Sequence, residues 1–476
     1  MRSSDAQSVT ARRSALRALV KLSVFFLAFI LFVLLGSIFF VKTDLFARMM
    51  ILEMQERNDL ELVFVGSSIA RDHFNVQRIS EATGKRAFNA SIPCLGLQGS
   101  IALTEELYRT NNPADIVLVV EPYTFETERE GIEAEDILMP WLSSVQTRID
   151  YYKRLVAADG WYLDRLLLFR DFGAASPADI LKTIGLRFFP HSTFRRLGNV
   201  AMDKGAKAVY QGSGFVRYET ELRADSAVRE KLQRVYTGWY YDLLPASKEM
   251  LLTYRDLLAA HGTNLLVFIY PNMTAHNLAD PIFLGYNESL MRFCRKNGID
   301  CVNFSLAKPE LLPNLDRYYF DIYHLAGEGA DIFSDAVARF LNLRYAGKDT
   351  SSLFYSSNGE YLDAIDYVTN VWLEKLLPGE EWNPAREQSP DMLSSQAPGW
   401  DIFLANCNHG PSVVPQYRFS ALRADGSETF LTDWQEENVY SCPSGSLDAL
   451  TIRIYARAPG REQETVWYDL TLSNPY

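Results

Sequence analysis

Short, unbroken apolar runs recur along the chain between residues 60 and 304, and segments with helical spacing separate them. An unbroken run of aliphatic and β-branched residues is typical of a strand that is covered on both faces, as in a parallel sheet. We therefore predict strands at Leu60–Gly66, Arg86–Ile92, Asp115–Glu121, Asn264–Tyr270 and Ile299–Phe304. Alternation of such strands with helices predicts an α/β domain with an open sheet over residues 58–345.

The strand pattern stops between residues 125 and 246. This stretch contains aromatic-rich segments with helical spacing, at Arg148–Phe169 and Val228–Leu244. It is too long for an ordinary loop, so we predict a helical insert that covers one edge of the sheet. Its tryptophans, Trp141, Trp161 and Trp239, are expected to be core residues, although indole rings also stack on sugars.

Residues 351–476 follow a different pattern. Apolar and polar residues alternate along "LTIRIYAR" (450–457) and again along "TVWYDLTL" (465–472). This period of two is typical of half-buried antiparallel strands. We predict a β-rich C-terminal domain, and carbohydrate binding is one role that such a module can have.

Near the N-terminus, Leu22–Val41 contains 20 residues without a charge. At about 1.5 Å per residue, a helix of this length spans roughly 30 Å of hydrocarbon. The run exceeds the apolar region of roughly 7–15 residues in a cleaved signal peptide, and no A-x-A-like site follows it. We predict a single transmembrane helix that is not cleaved. Four arginines and a lysine precede it, which predicts that residues 1–21 are cytoplasmic and that the chain after Val41 is periplasmic.

Net charge and cysteine content restrict the possible partners, metal sites and disulfides. The net charge of −12 argues against a nucleic-acid partner. The five cysteines include no C-x-x-C pair, so the sequence indicates no zinc site. Disulfides are permitted outside the cytoplasm, and we predict that Cys407 and Cys442, in the same C-terminal region, form one.

The candidate chemistry begins where the first strand ends. Ligands of open α/β sheets bind beyond the carboxyl ends of the strands, and Ser67 and Ser68 follow Gly66 at that edge. A serine nucleophile needs a base, and the base needs an orienting acid. Asp321 and His324, three residues apart on a turn before an amphipathic helix, are the candidates for that pair.

Simpler roles exist for each of these residues. Ser68 can be a helix N-cap, and Asp321 with His324 can form a surface turn. His73 is a rival base, although an exposed loop histidine is the simpler interpretation. A metal site that joins Asp72 and His73 to His324 lacks a complete ligand set, so we predict no metal. Cys94 has no activating partner in the sequence.

Together, strand-G-S-S and the later D-x-x-H resemble the SGNH/GDSL hydrolase superfamily. The predicted anchor and "GSS" in place of "GDS" look most like its membrane-anchored envelope branch, the DltD-like proteins and the proteins of polysaccharide O-acetylation. The resemblance covers residues 60–343 outside the insert. It implies a three-layer, SGNH-like open parallel sheet.

Carried over residue by residue, the resemblance makes Ser68 the nucleophile, His324 the base and Asp321 the orienting acid. The oxyanion hole would use the backbone N–H groups of Ser68 and of Cys94 or Gly96. The family's third block, G-x-N-D, is replaced by "VVEPYTFE", so the asparagine donor has no counterpart. Loss of one such donor costs about 10²–10³ in rate.

The implied activity is that of an extracytoplasmic serine acyltransferase or esterase, acting on ester groups of a cell-envelope glycan. The resemblance implies no cofactor and a membrane-bound O-acyltransferase as partner. The alternative is a non-catalytic scaffold or glycan-binding partner of that enzyme, which the departure in the third block favours.

Overall fold

The structure is a computed structural model, and it describes residues 2–39, 44–125, 137–159, 176–203, 205–219, 242–279, 281–321, 323–376, 400–447 and 451–472. Its strands are β1 (Leu62–Gly66), β2 (Ala87–Ser91), β3 (Asp115–Val120), β4 (Val200–Asp203), β5 (Ala206–Gly212), β6 (Phe215–Glu219), β7 (Asn264–Ile269), β8 (Asp300–Asn303), β9 (Val368–Leu376), β10 (Trp400–His409), β11 (Gln416–Leu422), β12 (Glu428–Phe430), β13 (Val439–Pro443), β14 (Thr451–Arg457) and β15 (Val466–Thr471).

The helices begin with a long apolar one at the N-terminus and alternate with strands thereafter. They are α1 (Arg2–Phe39), α2 (Leu45–Glu56), α3 (Ser68–His73), α4 (Val76–Thr83), α5 (Leu97–Leu107), α6 (Val145–Asp159), α7 (Pro177–Phe188), α8 (Pro190–Leu197), α9 (Pro245–Ala260), α10 (Thr274–Ala279), α11 (Pro281–Lys296), α12 (Gly327–Tyr345) and α13 (Asn358–Asp363).

Five strands form one sheet in the order β2-β1-β3-β7-β8. Strand β1 pairs in parallel with β2 on one side and with β3 on the other. Every residue of β1 is buried, which explains why this strand is an unbroken apolar run. The predicted fold class is confirmed: a parallel sheet with helices, a C-terminal β-rich region and one N-terminal apolar helix.

Contacts within the chain group it into two units. The first contains Met1–Glu219 and Leu244–Val267, and the second contains Thr220–Leu243 and Phe268–Tyr476. The predicted domain boundaries stay predictions.

In the first unit, the insert contains more than the predicted helices. Strands β4, β5 and β6 form an antiparallel sheet, which the sequence analysis did not predict. The turn between β5 and β6 packs on the edge strand β2, because the N–H of Asn89 donates to the carbonyl of Ser213 at 2.8 Å. A Cβ at Gly214 would lie 1.7 Å from the Asn89 carbonyl oxygen, so this contact requires glycine.

The tryptophans of the insert are only partly described. Trp141 is a core residue, as expected, and the guanidinium of Arg48 lies 4.5 Å from the centre of its ring. Trp161 and Trp239 lie outside the described residues, as does most of the segment Val228–Leu244. Their roles therefore stay predictions.

In the second unit, two antiparallel sheets, β13-β10-β9 and β12-β11-β14-β15, share one apolar core. Along β14, Ile452, Ile454 and Ala456 are buried and the residues between them are partly exposed. The predicted alternation of this region is confirmed.

The predicted Cys407–Cys442 disulfide is wrong. The structure holds both cysteines as thiols. Cys442 pairs with Asp401 across β13 and β10, whereas Cys407 lies six residues further along β10. At about 3.3 Å per residue, this register separates the two by roughly 20 Å, far beyond the reach of a disulfide.

Helix α1 contains a 20-residue span, Ser14–Val33, that is long and apolar enough to cross a membrane, and none of that span is buried. The predicted span Leu22–Val41 ends outside the described residues. An anchor and a signal sequence share these properties, so the single-pass topology stays a prediction.

Candidate active site

The first part of the candidate site lies where β1 ends. A Cβ at Gly66 would lie 2.8 Å from the Val119 carbonyl oxygen and 2.9 Å from Ala70 Cβ. Only a residue without a side chain lets β1 end this close to β3 and to the helix that follows it. The turn into α3 therefore requires glycine before the two serines.

The two serines after Gly66 have different environments. Ser67 is 4% exposed, and it caps α3 because its Oγ accepts a hydrogen bond from the N–H of Ile69 at 3.2 Å. The same hydroxyl donates to Oε1 of Glu121. Ser68 is the first residue of α3 and is partly exposed. The helix N-cap is therefore Ser67 and not Ser68, which was the alternative role for Ser68.

His73 ends the same helix and is fully buried, so its interpretation as an exposed loop histidine is wrong. Helix α3 is held by its neighbours here: the side-chain nitrogen of Asn89 donates to the carbonyls of Ala70, at 2.7 Å, and of Phe74, at 3.2 Å. A buried ion pair of Arg71 with Asp72, whose closest atoms are 2.6 Å apart, adds to this packing. A buried polar network of this kind fixes the helix that begins at the serine.

The loop after β2 lies beside the serine turn, because the N–H of Ile92 donates to the carbonyl of Gly66 at 3.1 Å. Within this loop Cys94 adopts a left-handed conformation, with φ of 57°, and Gly96 is the N-cap of α5. A residue other than glycine at positive φ costs about 1–3 kcal/mol and is characteristic of functional sites. The oxyanion roles of Cys94 and Gly96 stay predictions.

Glu121 is a residue that the sequence analysis missed. It directly follows β3, and its N–H donates to Oγ1 of Thr124 at 3.0 Å while its carboxylate accepts from Ser67. The rule that pointed to the serines, a polar residue at the carboxyl end of a parallel strand, also applies to Glu121. An ionised carboxylate only accepts hydrogen bonds, so in that form Glu121 cannot replace the missing asparagine donor.

The second part of the candidate site is the turn that carries Asp321 and His324. The imidazole Nδ1 lies 2.8 Å from Oδ1 and 2.9 Å from Oδ2 of Asp321. Oδ1 also accepts the N–H groups of Tyr323 and His324, each at 2.8 Å. His324 is 6% exposed. When Nδ1–H donates to the carboxylate, Nε2 carries the lone pair, which is the tautomer of a general base.

Backbone contacts close the turn on both sides. The N–H of Phe320 donates to the carbonyl of His324 at 2.9 Å, and Tyr319 pairs with Leu325 in an antiparallel bridge. The ring of Phe320 stacks on the imidazole, with centres 5.7 Å apart. Helix α12 begins two residues after Leu325. The sequence predicted that the D-x-x-H spacing brings the carboxylate to the imidazole, and the structure has this contact.

Ser68 belongs to the first unit and the Asp321–His324 pair to the second. Their assembly into a triad stays a prediction. Among the described residues, no group of three or more His, Cys, Asp or Glu side chains is placed to hold a metal ion.

Comparison with known proteins gives little further evidence about the function. No family model matches the chain, and no curated protein matches it. Among solved structures, one match is assigned to the lipolytic G-D-S-L family, from Desulfitobacterium hafniense: 7% identity, 59% of this chain, 98% of that one and a TM-score of 0.27. Another is described as an acylhydrolase, from Bacteroides fragilis: 10% identity, 61% of this chain, 89% of that one and a TM-score of 0.28. At such scores, the functional assignment rests on this chain's own residues.

Proposed function

We propose that the protein is an extracytoplasmic serine acyltransferase or esterase that acts on ester groups of a cell-envelope glycan. The observation that carries the proposal is the contact of Asp321 with Nδ1 of a nearly buried His324. A carboxylate that fixes one imidazole nitrogen is what a general base needs in order to activate a hydroxyl. The residue it would activate is Ser68.

In the proposed reaction, Ser68 Oγ attacks the acyl carbonyl while Nε2 of His324 takes the hydroxyl proton. Asp321 stabilises the resulting imidazolium and keeps the ring in orientation. The tetrahedral intermediate collapses, His324 returns the proton to the leaving oxygen, and the acyl group remains as an ester on Ser68. A glycan hydroxyl or water then attacks that ester, which makes the outcome transfer or hydrolysis.

The oxyanion in this proposal is stabilised by backbone N–H groups alone. The contributors are Ser68 at the start of α3 and Cys94 or Gly96 in the loop after β2. The strained backbone of Cys94 supports a role for this loop. With Glu121 at the end of β3, the described residues there include no counterpart of the family's asparagine donor, so we expect a slow catalyst.

The proposed compartment and partners follow from the resemblance and from α1. In this proposal α1 anchors the protein in the inner membrane, and a membrane-bound O-acyltransferase supplies acyl groups across the bilayer. A reporter that is active only in the periplasm, fused after Tyr476, is expected to be active. Activity of a cytoplasm-only reporter at that position would contradict the topology.

A second candidate function is that of a non-catalytic scaffold or glycan-binding partner in the same machinery. The observation that favours it is Glu121, an acceptor at the strand end where related enzymes have a donor. In this case Ser68 would not react.

Hydrolysis of p-nitrophenyl acetate by the purified protein separates the two. If the protein is an enzyme, turnover should require Ser68, His324 and Asp321. Turnover should be unchanged by Asp363→Asn, a substitution of an exposed residue in the second unit. A folded protein with no turnover above that of its Ser68→Ala variant supports the scaffold.

A further inference from the structure

The second unit contains a cavity of about 140 Å³ that the proposed chemistry does not use. It lies between the chain that follows β7, the segment 304–316 and the segment 355–367. Exposed Pro309 and Asn314 are among its lining residues, so one side of the cavity reaches the surface. A ligand can therefore enter from solvent.

Asp316 contributes a carboxylate to the lining of the cavity. Its Oδ1 accepts the N–H of Thr274 at 2.7 Å. Its Oδ2 is buried and has no hydrogen-bond partner among the described residues. Burial raises the pKa of Asp316 to about 6. A buried carboxylate oxygen without a partner costs several kcal/mol, and a ligand that donates a hydrogen bond would remove this cost.

The charge around Asp316 restricts the ligand. None of the described residues that line the cavity is Lys, Arg or His. An anionic ligand would meet an uncompensated carboxylate in a site of low dielectric, which is unfavourable. A divalent cation is disfavoured too, because no second acidic side chain lines the cavity. The site therefore favours an uncharged hydrogen-bond donor.

Tyrosines provide the remaining surface. The rings of Tyr355 and Tyr361 lie with their centres 6.0 Å apart and their planes inclined by 57°. The hydroxyl of Tyr361 accepts from Nδ2 of Asn277 at 3.1 Å, and that of Tyr367 donates to Oγ1 of Thr274 at 3.2 Å. Aromatic faces beside hydroxyls and a carboxylate match a sugar ring, which has apolar C–H faces and an edge of hydroxyls.

We propose that this cavity, which we call the Asp316 cavity, binds one uncharged, hydroxyl-bearing sugar unit of a glycan chain. Its volume is comparable to a cavity of about 150 Å³ that holds one six-membered ring. One sugar hydroxyl donates to Oδ2 of Asp316, and the ring packs against Tyr355. Binding does not depend on Ser68, although the idea that the bound glycan is the acyl acceptor rests on the proposed function.

Calorimetric titration of the full-length protein in detergent micelles tests the proposal. The probes are cellohexaose, mannohexaose and xylohexaose, which are neutral, and the hexamer of galacturonic acid, which is anionic. We expect at least one neutral probe to bind and the anionic probe not to bind. The proposal is overturned if no neutral probe binds, or if the anionic hexamer binds as tightly.

Variants then locate the site. Asp316→Asn is expected to weaken binding about tenfold or more, since a hydrogen bond to a charged group is lost. The matched control is Asp433→Asn, an exposed residue of the same unit outside the cavity, which should bind like the wild type. If Asp316→Asn does not fold, Tyr355→Leu serves the same purpose. Wild-type affinity in a folded Asp316→Asn or Tyr355→Leu protein contradicts the proposal.

The Ser68→Ala protein separates this proposal from the proposed function. It should bind the neutral glycan with wild-type affinity while it loses esterase turnover. Turnover without glycan binding would refute the Asp316 cavity and leave the enzyme in place. Glycan binding without esterase turnover in the wild-type protein would support the Asp316 cavity and contradict the proposed enzyme.

Discussion

The two turns that carry the candidate residues are held in place in different ways. The Asp321–His324 turn is local: one carboxylate accepts the imidazole and two N–H groups within three residues of itself. The serine turn depends on the distant chain, because the hydroxyl of Ser67 donates to Glu121, 54 residues later. Ser68 is the first residue of the helix that Ser67 caps. The comparison shows why the contacts of the first turn could be predicted from a short motif, whereas the partner of Ser67 could not.

The largest expected effect sharpens the contrast between the two serines. Ser68→Ala should lower esterase turnover by about 10⁴ or more, as removal of a serine nucleophile does. Ser67→Ala should lower turnover only about 10–100-fold, because it removes the contact with Glu121, and it should cost about 1 kcal/mol of stability, because it removes a helix cap. The measurements are p-nitrophenyl acetate hydrolysis and thermal unfolding of both variants. Equal loss of turnover in the two would break the distinction.

The next effect concerns the local turn. Asp321→Asn can still accept the two N–H groups through its amide oxygen, so the turn should keep its structure. The amide cannot stabilise an imidazolium, and turnover should fall by roughly 10³–10⁴. Near-ultraviolet circular dichroism checks the fold, and the assay checks the rate. Turnover close to that of the wild type would mean that His324 is not the base.

A smaller effect tests the long-range support of the serine turn. Glu121→Ala removes the acceptor of the Ser67 hydroxyl and should lower turnover about 10–100-fold, since a misplacement of about 1 Å can cost 10² in rate. Glu121→Gln keeps an acceptor oxygen and is the matched control, so it should be milder. If both variants match the wild type, the serine turn does not need this partner.

The smallest expected effect tests whether the Asp321–His324 turn functions independently of Asp316. Asp316 precedes it by five residues, and burial raises the pKa of Asp316 from its usual value to about 6. A raised carboxyl pKa favours the folded state at acid pH, and this advantage is lost as pH rises from about 4 to 6. The nearby phenols of Tyr319 and Tyr361 have raised pKa values, and burial is the main cause for both. They therefore stay neutral throughout this range.

Without glycan, Asp316→Asn should consequently be more stable than the wild type above pH 6, by about 1–2 kcal/mol after allowance for partial exposure. The difference should vanish near pH 4, and esterase turnover should change little. Thermal unfolding of the two proteins across this pH range measures the difference in stability. A large loss of turnover in Asp316→Asn would show that the turn is not self-contained.

Much of the α/β region could be predicted because the strands β1, β2 and β3 are almost entirely buried. The predicted strand Asp115–Glu121 is observed as Asp115–Val120, and the other four sheet strands agree to within two residues at each end. The contact of Asp321 with His324 was predictable because three residues suffice to form it. In the C-terminal region the period of two predicted β14 and β15 for the same local reason.

What could not be predicted depends on contacts between distant residues. Strands β5 and β6 are short and flank a glycine-rich turn that needs β2 to pack against. The prediction of a Cys407–Cys442 disulfide was wrong because spacing along the sequence does not reveal strand register. The contact of Glu121 with Ser67 and the buried Oδ2 of Asp316 were missed because burial and hydrogen-bond partners belong to the folded chain.

The central claim, that Ser68 is an activated nucleophile, is tested most directly by a fluorophosphonate probe. The labelled full-length protein is digested, and mass spectrometry locates the adduct. We predict one adduct on Ser68, absent in His324→Ala and in Asp321→Asn and retained in Ser67→Ala. An unlabelled but folded protein, or an adduct on Ser67, would contradict the account.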